Sequence, residues 1–218
     1  MSEPRIDKIV YFVRHGQSVD NVSPVFQSPN SPLSEKGREQ AENIAERVSK
    51  LQFDALIASP LQRTKETAKA IAKATGKEPE YSNLFVERTH PTSISGKPYV
   101  DEEANKTWRE WEQNIYSSNT HVENAENSDD LITRADKALA FLNNRTEQSL
   151  VVVTHGYFLR TIVARVLLGN LLSGEALKNF QKSATMENTG ITVLRYHDSF
   201  EQDPSWHLWI YNDHSHLG

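Results

Sequence analysis

The sequence predicts an α/β fold, namely a three-layer α/β/α sandwich with a mostly parallel sheet and a small helical cap insertion. Short apolar runs rich in β-branched residues alternate with longer segments of helical periodicity, which is typical of a sheet with helices on both faces. The run 150–154 is nearly all apolar, as expected of a central parallel strand. The length of 218 residues fits a single domain, 1–218.

Residues 9–58 contain the first strand–helix–strand unit. Residues 9–13 predict a short apolar strand, and the Pro-, Ser- and Asn-rich stretch 23–32 is typical of a surface loop. Ser34 is placed to cap a helix that runs to about Leu51, because the apolar residues between them recur at helical spacing. Residues 53–58 then predict a second strand.

A second helix and a third strand follow. Residues 59–62 read Ser-Pro-Leu-Gln, with a serine suited to the N-cap, a proline at the first helical position and a glutamine at the third. This pattern is a capping box, and it predicts a helix over 60–76. The extended run 80–87 predicts the third strand, which ends at Glu87.

The remaining chain departs once from this alternation. Two helices, 101–116 and 128–147, precede the fourth strand, 150–154. Since these paired helices interrupt the pattern, we expect the stretch 88–128 to form a cap over one edge of the sheet. The last predicted elements are helices over 158–168 and 173–182 and strands over 191–196 and 206–211.

The composition excludes several classes of function. The chain has 24 Lys and Arg against 29 Asp and Glu, a net charge of −5, whereas nucleic-acid binding uses a basic surface. The sequence has no Cys, which excludes disulfides, zinc–thiolate sites, iron–sulfur clusters and thiol nucleophiles. No apolar run approaches the roughly 20 residues of a membrane span, and the run ending at Val13 is too short for a signal-peptide core. We therefore expect a cytoplasmic protein without membrane or nucleic-acid partners.

Charged and nucleophilic side chains follow the predicted strands, at the edge where open α/β sheets bind ligands. Two guanidinium groups and two nearby helix N-termini favour an anion, and phosphate matches these converging donors best. A histidine is the obvious nucleophile in a chain without Cys, and nearby positive charge keeps one imidazole nitrogen unprotonated. The lone carboxylate, Glu87, is a candidate proton donor to the leaving oxygen. In strand order these residues are Arg14 with His15, Arg63, Glu87, and His155 with Gly156.

Four stretches, in this order, resemble signatures of the histidine phosphatase superfamily, the group with the phosphoglycerate mutase-like fold. Residues 14–18 (Arg-His-Gly-Gln-Ser) resemble the Arg-His-Gly signature that follows its first strand. The other three are 32–37 (Pro-Leu-Ser-Glu-Lys-Gly), 59–64 (Ser-Pro-Leu-Gln-Arg-Thr) and 153–156 (Val-Thr-His-Gly). The tail 212–217 (Asn-Asp-His-Ser-His-Leu) is similar to the tails of bacterial members.

The resemblance implies hydrolysis of a small-molecule phosphate ester through a phosphohistidine, with inorganic phosphate as product and no metal or organic cofactor. His15 would attack phosphorus, and Glu87 would protonate the leaving oxygen and later activate water. Gly156 would give close backbone approach, and Asn21 would add a polar contact. The side chains implied to hold the phosphoryl oxygens as charge spreads over them are Arg14, Arg63 and His155.

The sequence departs from the family pattern on the leaving-group side. After Glu87 it reads Arg-Thr-His-Pro-Thr, where many members carry a Phe-Gly-x-x-Glu-Gly-like stretch, and Gln17 stands where typical mutases have Glu. The predicted cap is also short for a mutase that retains a phosphorylated intermediate. Both differences favour a phosphatase. Trp108 and Trp111 are interpreted as packing residues of the cap. Candidate substrate contacts on this side are Gln17, Arg88 and His90.

Several alternatives stay open at this point. A phosphoglycerate mutase-type phosphotransferase would depend on a bisphosphorylated primer, and a phosphoprotein or phosphohistidine phosphatase is a further option. His15, His155 and Glu87 could instead form a two-His, one-carboxylate metal site, which the adjacent arginines disfavour. The fold could also serve as a non-catalytic anion-binding module. Glu102 or Glu103 could replace Glu87 as the proton donor, and the oligomeric state is open between a monomer and a homodimer.

Overall fold

A six-stranded sheet is the centre of the part of the chain that the structure describes, residues 7–197 and 205–217. In the computed structural model the strands are β1 (Asp7–Arg14), β2 (Ala55–Ala58), β3 (Pro79–Tyr81), β4 (Ser149–Thr154), β5 (Ile191–His197) and β6 (Ser205–Asp213). Their spatial order is β3-β2-β4-β1-β5-β6. The first four run parallel, whereas β5 is antiparallel to β1 and β6 to β5. The predicted mostly parallel sheet, with 150–154 in its interior, is therefore confirmed.

Helices cover both faces of this sheet. In the described residues they are α1 (Val19–Val22), α2 (Glu35–Ser49), α3 (Gln62–Thr75), α4 (Glu102–Asn114), α5 (Ser128–Asn143), α6 (Gly156–Leu168) and α7 (Gly174–Ser183). Helices α2 and α3 pack on one face, and α5 and α6 pack on the other. This arrangement confirms the three-layer sandwich. No helix within residues 7–197 and 205–217 is both long and apolar enough to cross a bilayer.

Strand β4 shows why the layers form. Leu150 and Val152 pack with the α5 and α6 side, while Val151 and Val153 pack with α2 and α3, and all four are fully buried. Successive side chains of a strand point to opposite faces, so a continuous apolar run needs cover on both sides. The amphipathic helices supply that cover.

The strand register brings the carboxyl ends of three strands, β1, β4 and β2, together at one edge of the sheet. Val13, Val153 and Ala58 lie side by side across β1, β4 and β2. The residues just beyond them are tied in the same way, because the His15 N–H donates to the Thr154 carbonyl at 3.0 Å and the Ser59 N–H to the Val153 carbonyl at 3.0 Å. Parallel strands in register therefore place their following residues at the same carboxyl edge.

The capping box predicted at Ser59 is wrong. Helix α3 begins at Gln62, with Leu61 as an N-cap that makes no side-chain capping bond. The Ser59 hydroxyl lies instead 2.8 Å from Nε2 of His155. The hydroxyl also accepts from the Leu61 N–H at 3.3 Å, so it bonds a buried imidazole and the turn before the helix rather than the N–H of Gln62.

The predicted third strand is also wrong in its extent. Only Pro79–Tyr81 pairs with β2, and a 3-10 turn, Asn83–Phe85, follows. The guanidinium of Arg134 donates to the carbonyls of Leu84 and Val86 at 3.2 and 2.8 Å, so a side chain replaces the strand partner. Glu87 therefore lies beyond this turn rather than at a strand end.

The stretch 88–128 contains a 3-10 turn, Thr92–Ile94, and helix α4. Ile94 and Ala104 are buried against Phe26 from the loop after α1, in a small apolar cluster separate from the two faces of the sheet. This packing holds the stretch over the carboxyl edge. Residues 1–6, which carry part of the targeting prediction, lie outside the described residues.

Candidate active site

Two histidines face each other at the carboxyl edge of the sheet. The rings of His15 and His155 have centroids 5.0 Å apart and an interplanar angle of 62°. Both side chains are buried, as is the neighbouring Arg63. The predicted histidine pair and one predicted arginine are therefore brought together, although they follow three different elements of the chain.

The hydrogen bonds of His15 leave one ring nitrogen unprotonated. Its Nδ1 lies 2.7 Å from the Gly16 carbonyl oxygen, which can only accept, so Nδ1 carries the proton. Its Nε2 accepts a hydrogen bond from Nε of Arg63 at 3.2 Å. Burial, followed by the positive charges of Arg63 and Arg14, holds the pKa of His15 well below its usual value. The imidazole is therefore neutral, with a lone pair on Nε2.

His155 has a complementary arrangement. Its Nε2 is bound to the Ser59 hydroxyl, whereas its buried Nδ1 has no hydrogen-bond partner among the described residues. Burial is the largest cause that lowers the pKa of His155, and the charge of Arg63 adds to it. If the Ser59 hydroxyl donates, Nδ1 carries the proton and is a free donor in the site.

Two guanidinium groups add positive charge. The Nη1 atom of Arg14 donates to the Met186 carbonyl, and its buried Nε has no partner among the described residues. Arg63 donates from Nη1 to the Ser28 carbonyl at 3.2 Å. Burial lowers the pKa of Arg63 to about 10, which leaves it charged at neutral pH. Buried donors without a partner are costly, about 1–3 kcal/mol each, and an anion would satisfy them.

Glu87 lies at the N-terminus of α6. Its Oε1 accepts from the N–H groups of Phe158 and Arg88, each at 3.0 Å, and its Oε2 accepts from the N–H of Tyr157 at 3.2 Å. The predicted helix N-terminus at Gly156 is therefore present, and a carboxylate caps it. Oε2 accepts one of these bonds and Oε1 accepts two.

Gly156 lies directly against Arg14. A Cβ atom at this position would lie 3.1 Å from Nε of Arg14 and 3.4 Å from its Cζ. A larger residue would therefore push the guanidinium out of place. The close approach of the Gly156 backbone to a phosphate stays a prediction.

A cavity of about 490 Å³ lies in front of these groups. Six of the predicted residues line it, whereas His15, Arg63 and His155 are buried and are not among its lining residues. Glu102 and Glu103 lie in the first turn of α4 and are absent from its lining. The predicted residues that line the cavity are Arg14, Asn21, Glu87, Arg88, His90 and Gly156.

Gln17 and Asn21 have mainly local partners. The Gln17 Oε1 accepts from the Ser34 hydroxyl at 2.9 Å, and its N–H donates to the Gln40 side chain, so it faces α2 rather than the cavity. The Asn21 Oδ1 accepts from the Ser18 N–H at 2.9 Å. Within the described residues, no three His, Asp or Glu side chains are arranged to hold a metal ion.

Arg88 is held in an aromatic cage. Its guanidinium carbon lies 4.2 Å from the ring centroid of Tyr157, 4.7 Å from that of Trp111 and 5.4 Å from that of Trp108. Its Nη1 donates to Glu112 at 2.9 Å. The positive charge of Arg88 is therefore compensated within the protein.

Two parts of the site were not predicted from the sequence, namely Arg160 and the loop 186–190. Arg160 lies four residues after Gly156, on the same helix face, and helical spacing alone could have indicated that it lines the cavity. In the loop, Asn188 donates from Nδ2 to the His15 carbonyl at 2.8 Å, and the Thr189 N–H donates to the Arg14 carbonyl at 3.0 Å. No local pattern predicts these loop contacts.

The C-terminal tail supports that loop. Nε2 of His216 lies 3.1 Å from the Thr189 hydroxyl, and its Nδ1 lies 3.0 Å from Nη1 of Arg47 on α2. Asn212 accepts from the Glu187 N–H at 2.8 Å. The tail therefore contributes to the placement of Arg14 and His15.

Comparisons with known proteins agree with this geometry. Residues 10–208 match the model of the histidine phosphatase superfamily, branch 1. The chain is 30% identical to the Enterobacter sp. protein named "Probable phosphoglycerate mutase GpmB", over 95% of this chain and 94% of that one. It is 29% identical to phosphoglycerate mutase-like protein 4 of Arabidopsis thaliana, over 95% and 86% of the two chains. A mycobacterial glucosyl-3-phosphoglycerate phosphatase solved with VO3 superposes with a TM-score of 0.73 at 26% identity, over 95% of this chain and all of that one.

Proposed function

The chain belongs to the histidine phosphatase superfamily, and on this premise we propose that it hydrolyses phosphate monoesters of small molecules through a phosphohistidine at His15. The observation that carries the proposal is the bonding of this residue. Gly16 fixes the proton on Nδ1, so Nε2 is an unprotonated nucleophile beside the Arg63 guanidinium. A neutral imidazole among buried cations is suited to attack an anionic ester.

In the first step, Nε2 of His15 forms a bond to phosphorus as the bond to the leaving oxygen breaks. The ester binds as a monoanion, and its proton passes through Oε2 of Glu87 to that oxygen, which leaves as an alcohol. The Arg63 Nε–H bond to His15 is exchanged for a bond to a phosphoryl oxygen. Nε of Arg14 and Nδ1 of His155 are the donors available for the other phosphoryl oxygens.

In the second step, the Glu87 carboxylate takes a proton from water as the water oxygen attacks phosphorus. The bond between phosphorus and His15 breaks, and phosphate leaves. Glu87 then passes this proton to the departing phosphate, so the carboxylate and the neutral imidazole are both restored and the cycle is balanced.

The proposed reaction needs no metal ion. Two guanidinium groups lie beside His15 and repel a divalent cation, and their charges already face the phosphate site. We expect turnover to be unchanged in a chelator.

The test is isolation of the phosphoenzyme. The protein is mixed with ³²P-labelled p-nitrophenyl phosphate, quenched with denaturant, and the label is followed at acid and alkaline pH. We expect an acid-labile, alkali-stable label in the wild type and none in His15→Ala. His214→Ala, which changes an exposed histidine of the tail, is the matched control and should keep the label. Full phosphatase activity in His15→Ala would overturn the proposal.

A phosphoglycerate mutase-type phosphotransferase is the second candidate, because the similar Enterobacter and Arabidopsis proteins carry mutase names. Incubation with 3-phosphoglycerate, with and without a bisphosphorylated glycerate primer, separates the two. Primer-dependent isomerisation faster than phosphate release would establish the mutase. Phosphate release that needs no primer supports the phosphatase.

A further inference from the structure

The cavity continues beyond the phosphate-binding edge along an aromatic wall, formed by Phe26, Tyr99 and Trp108. The ring of Phe26 lies 4.8 Å from that of Tyr99, edge to face, and 5.1 Å from that of Trp108. Phe26 is buried and holds the other two in place, while Tyr99 is 47% exposed. A rigid, partly exposed aromatic surface facing a cavity is suited to contact a ligand.

The charges around this wall do not favour a second anion. Glu112 and three aromatic faces already compensate Arg88. Both ring nitrogens of His90 lie within 2.9 Å of backbone carbonyls, those of Gln27 and Pro91. The carboxylate of Asp20 lines the same cavity.

The remaining cations of the described lining belong to the phosphate end. Arg14 is part of the phosphate site, and Arg160 donates to three backbone carbonyls, those of residues 156, 181 and 184. A carboxylate on the leaving group would meet the charge of Asp20, and the cation that lies against Trp108, Arg88, is already paired with Glu112. An uncharged ring would instead bury apolar area against the aromatic wall.

We propose that the wall formed by Phe26, Tyr99 and Trp108 is a subsite for an uncharged leaving group that carries an aromatic ring. The proposal rests on the proposed function, because the phosphoryl group must lie at His15 for the leaving group to reach the wall. It implies that the chain prefers aromatic esters over short phosphorylated acids.

The test compares esters whose leaving alcohols have similar pKa values, so that intrinsic reactivity does not decide the result. These are 2-phenylethyl phosphate and n-propyl phosphate, with 3-phosphoglycerate as the acidic ester. In the wild type, kcat/KM should be highest for the 2-phenylethyl ester. Tyr99→Ala should reduce its advantage over the propyl ester about two- to tenfold, the range expected for loss of one aromatic pair.

Two further variants sharpen the comparison. Tyr81→Ala removes another half-exposed tyrosine, 41% exposed on β3 and outside the cavity, and should leave the preference unchanged. Asp20→Asn should raise the relative kcat/KM for 3-phosphoglycerate, since it removes the opposing charge and keeps an acceptor for the Ser28 N–H. A preference for 3-phosphoglycerate in the wild type, or an equal loss on all esters in Tyr99→Ala, would overturn the proposal.

A binding measurement keeps this proposal separate from the proposed function. Calorimetry with 2-phenylethylphosphonate and propylphosphonate, which are not hydrolysed, gives the contribution of the ring without turnover. If no ester is hydrolysed but Tyr99→Ala still weakens only the 2-phenylethyl compound, the function fails and the subsite stands. Equal affinity for both phosphonates in the wild type would overturn the subsite alone.

Discussion

Replacing Glu87 with glutamine should separate proton donation from phosphate binding. The carboxylate accepts three backbone N–H bonds at 3.0 to 3.2 Å, from Arg88 and from the first turn of α6. In Glu87→Gln the amide oxygen can accept the hydrogen bonds of only one of the two carboxylate oxygens. The amide nitrogen takes the place of the other oxygen and faces a backbone N–H, which cannot bond to it. At least one bond to a charged acceptor is lost, and the amide cannot donate a proton as an acid.

Two magnitudes follow from this geometry. The variant loses one hydrogen bond to a half-buried carboxylate and also the negative charge at the N-terminus of α6. Together these losses should lower the free energy of unfolding by about 2 kcal/mol. In a chain of this length that lowers Tm by about 4–8 °C. A general acid contributes roughly 10²–10⁴ in rate, so kcat/KM for n-propyl phosphate should fall at least about 100-fold. For p-nitrophenyl phosphate, whose leaving group needs little protonation, we expect a loss under about tenfold.

The assay measures phosphate release from both esters at a temperature well below the Tm of the variant. Glu103→Gln is the matched control, since it changes an exposed carboxylate in the first turn of α4 and should leave both esters unaffected. An equal loss on the two esters in Glu87→Gln would place the proton donor elsewhere. A selective loss in Glu103→Gln would assign the role to α4.

Three further outcomes are expected. The folded protein keeps His15 and His155 neutral, whereas the unfolded chain protonates them below about pH 6.5. The free energy of unfolding, measured by urea titration, should therefore be lower at about pH 5.5 than at about pH 7.0, by about 1.3 kcal/mol for each histidine. Equal values at both pH would contradict the lowered pKa values. Gly156→Ala should displace Arg14 and raise the inhibition constant of inorganic phosphate about tenfold, with little change in Tm. An unchanged inhibition constant would show that the contact between Gly156 and Arg14 does not affect phosphate binding. Trp111→Phe removes the indole donor to a backbone carbonyl and should lower the free energy of unfolding by about 1 kcal/mol, which thermal unfolding would detect as a lower Tm. A Tm equal to that of the wild type would show that this hydrogen bond contributes nothing to stability.

The sequence predicts those parts of the fold that depend on local periodicity. The run 150–154 indicates a strand covered on both faces, and the register that follows from it brings His15 beside His155. Arg14 and Arg63 were predicted as site residues only from their positions after strands. Their approximate place at the edge of the sheet therefore follows from the regular elements that precede them.

The errors arise where a distant side chain outweighs a local preference. Ser59 matches a capping pattern, yet a histidine 96 residues away takes its hydroxyl. The strand expected to reach Glu87 is cut short because Arg134 binds its carbonyls. Trp108 has helical spacing typical of packing, which is correct, but its ring also faces the cavity. Such contacts join residues far apart in the chain, and a local pattern holds no information on them.

The support of His15 by the loop 186–190 and the tail has a consequence for the order of folding. Asn188 donates a hydrogen bond to the backbone carbonyl of His15, and the hydroxyl of the neighbouring Thr189 is hydrogen-bonded to the ring of His216. A nascent chain therefore cannot form a complete catalytic centre when its first strand emerges, and must wait until β5 and β6 have been synthesised and paired. Local opening of β5 and β6 would also remove the support of His15 while the rest of the sheet stays folded, so the proposed activity should disappear before the global unfolding transition.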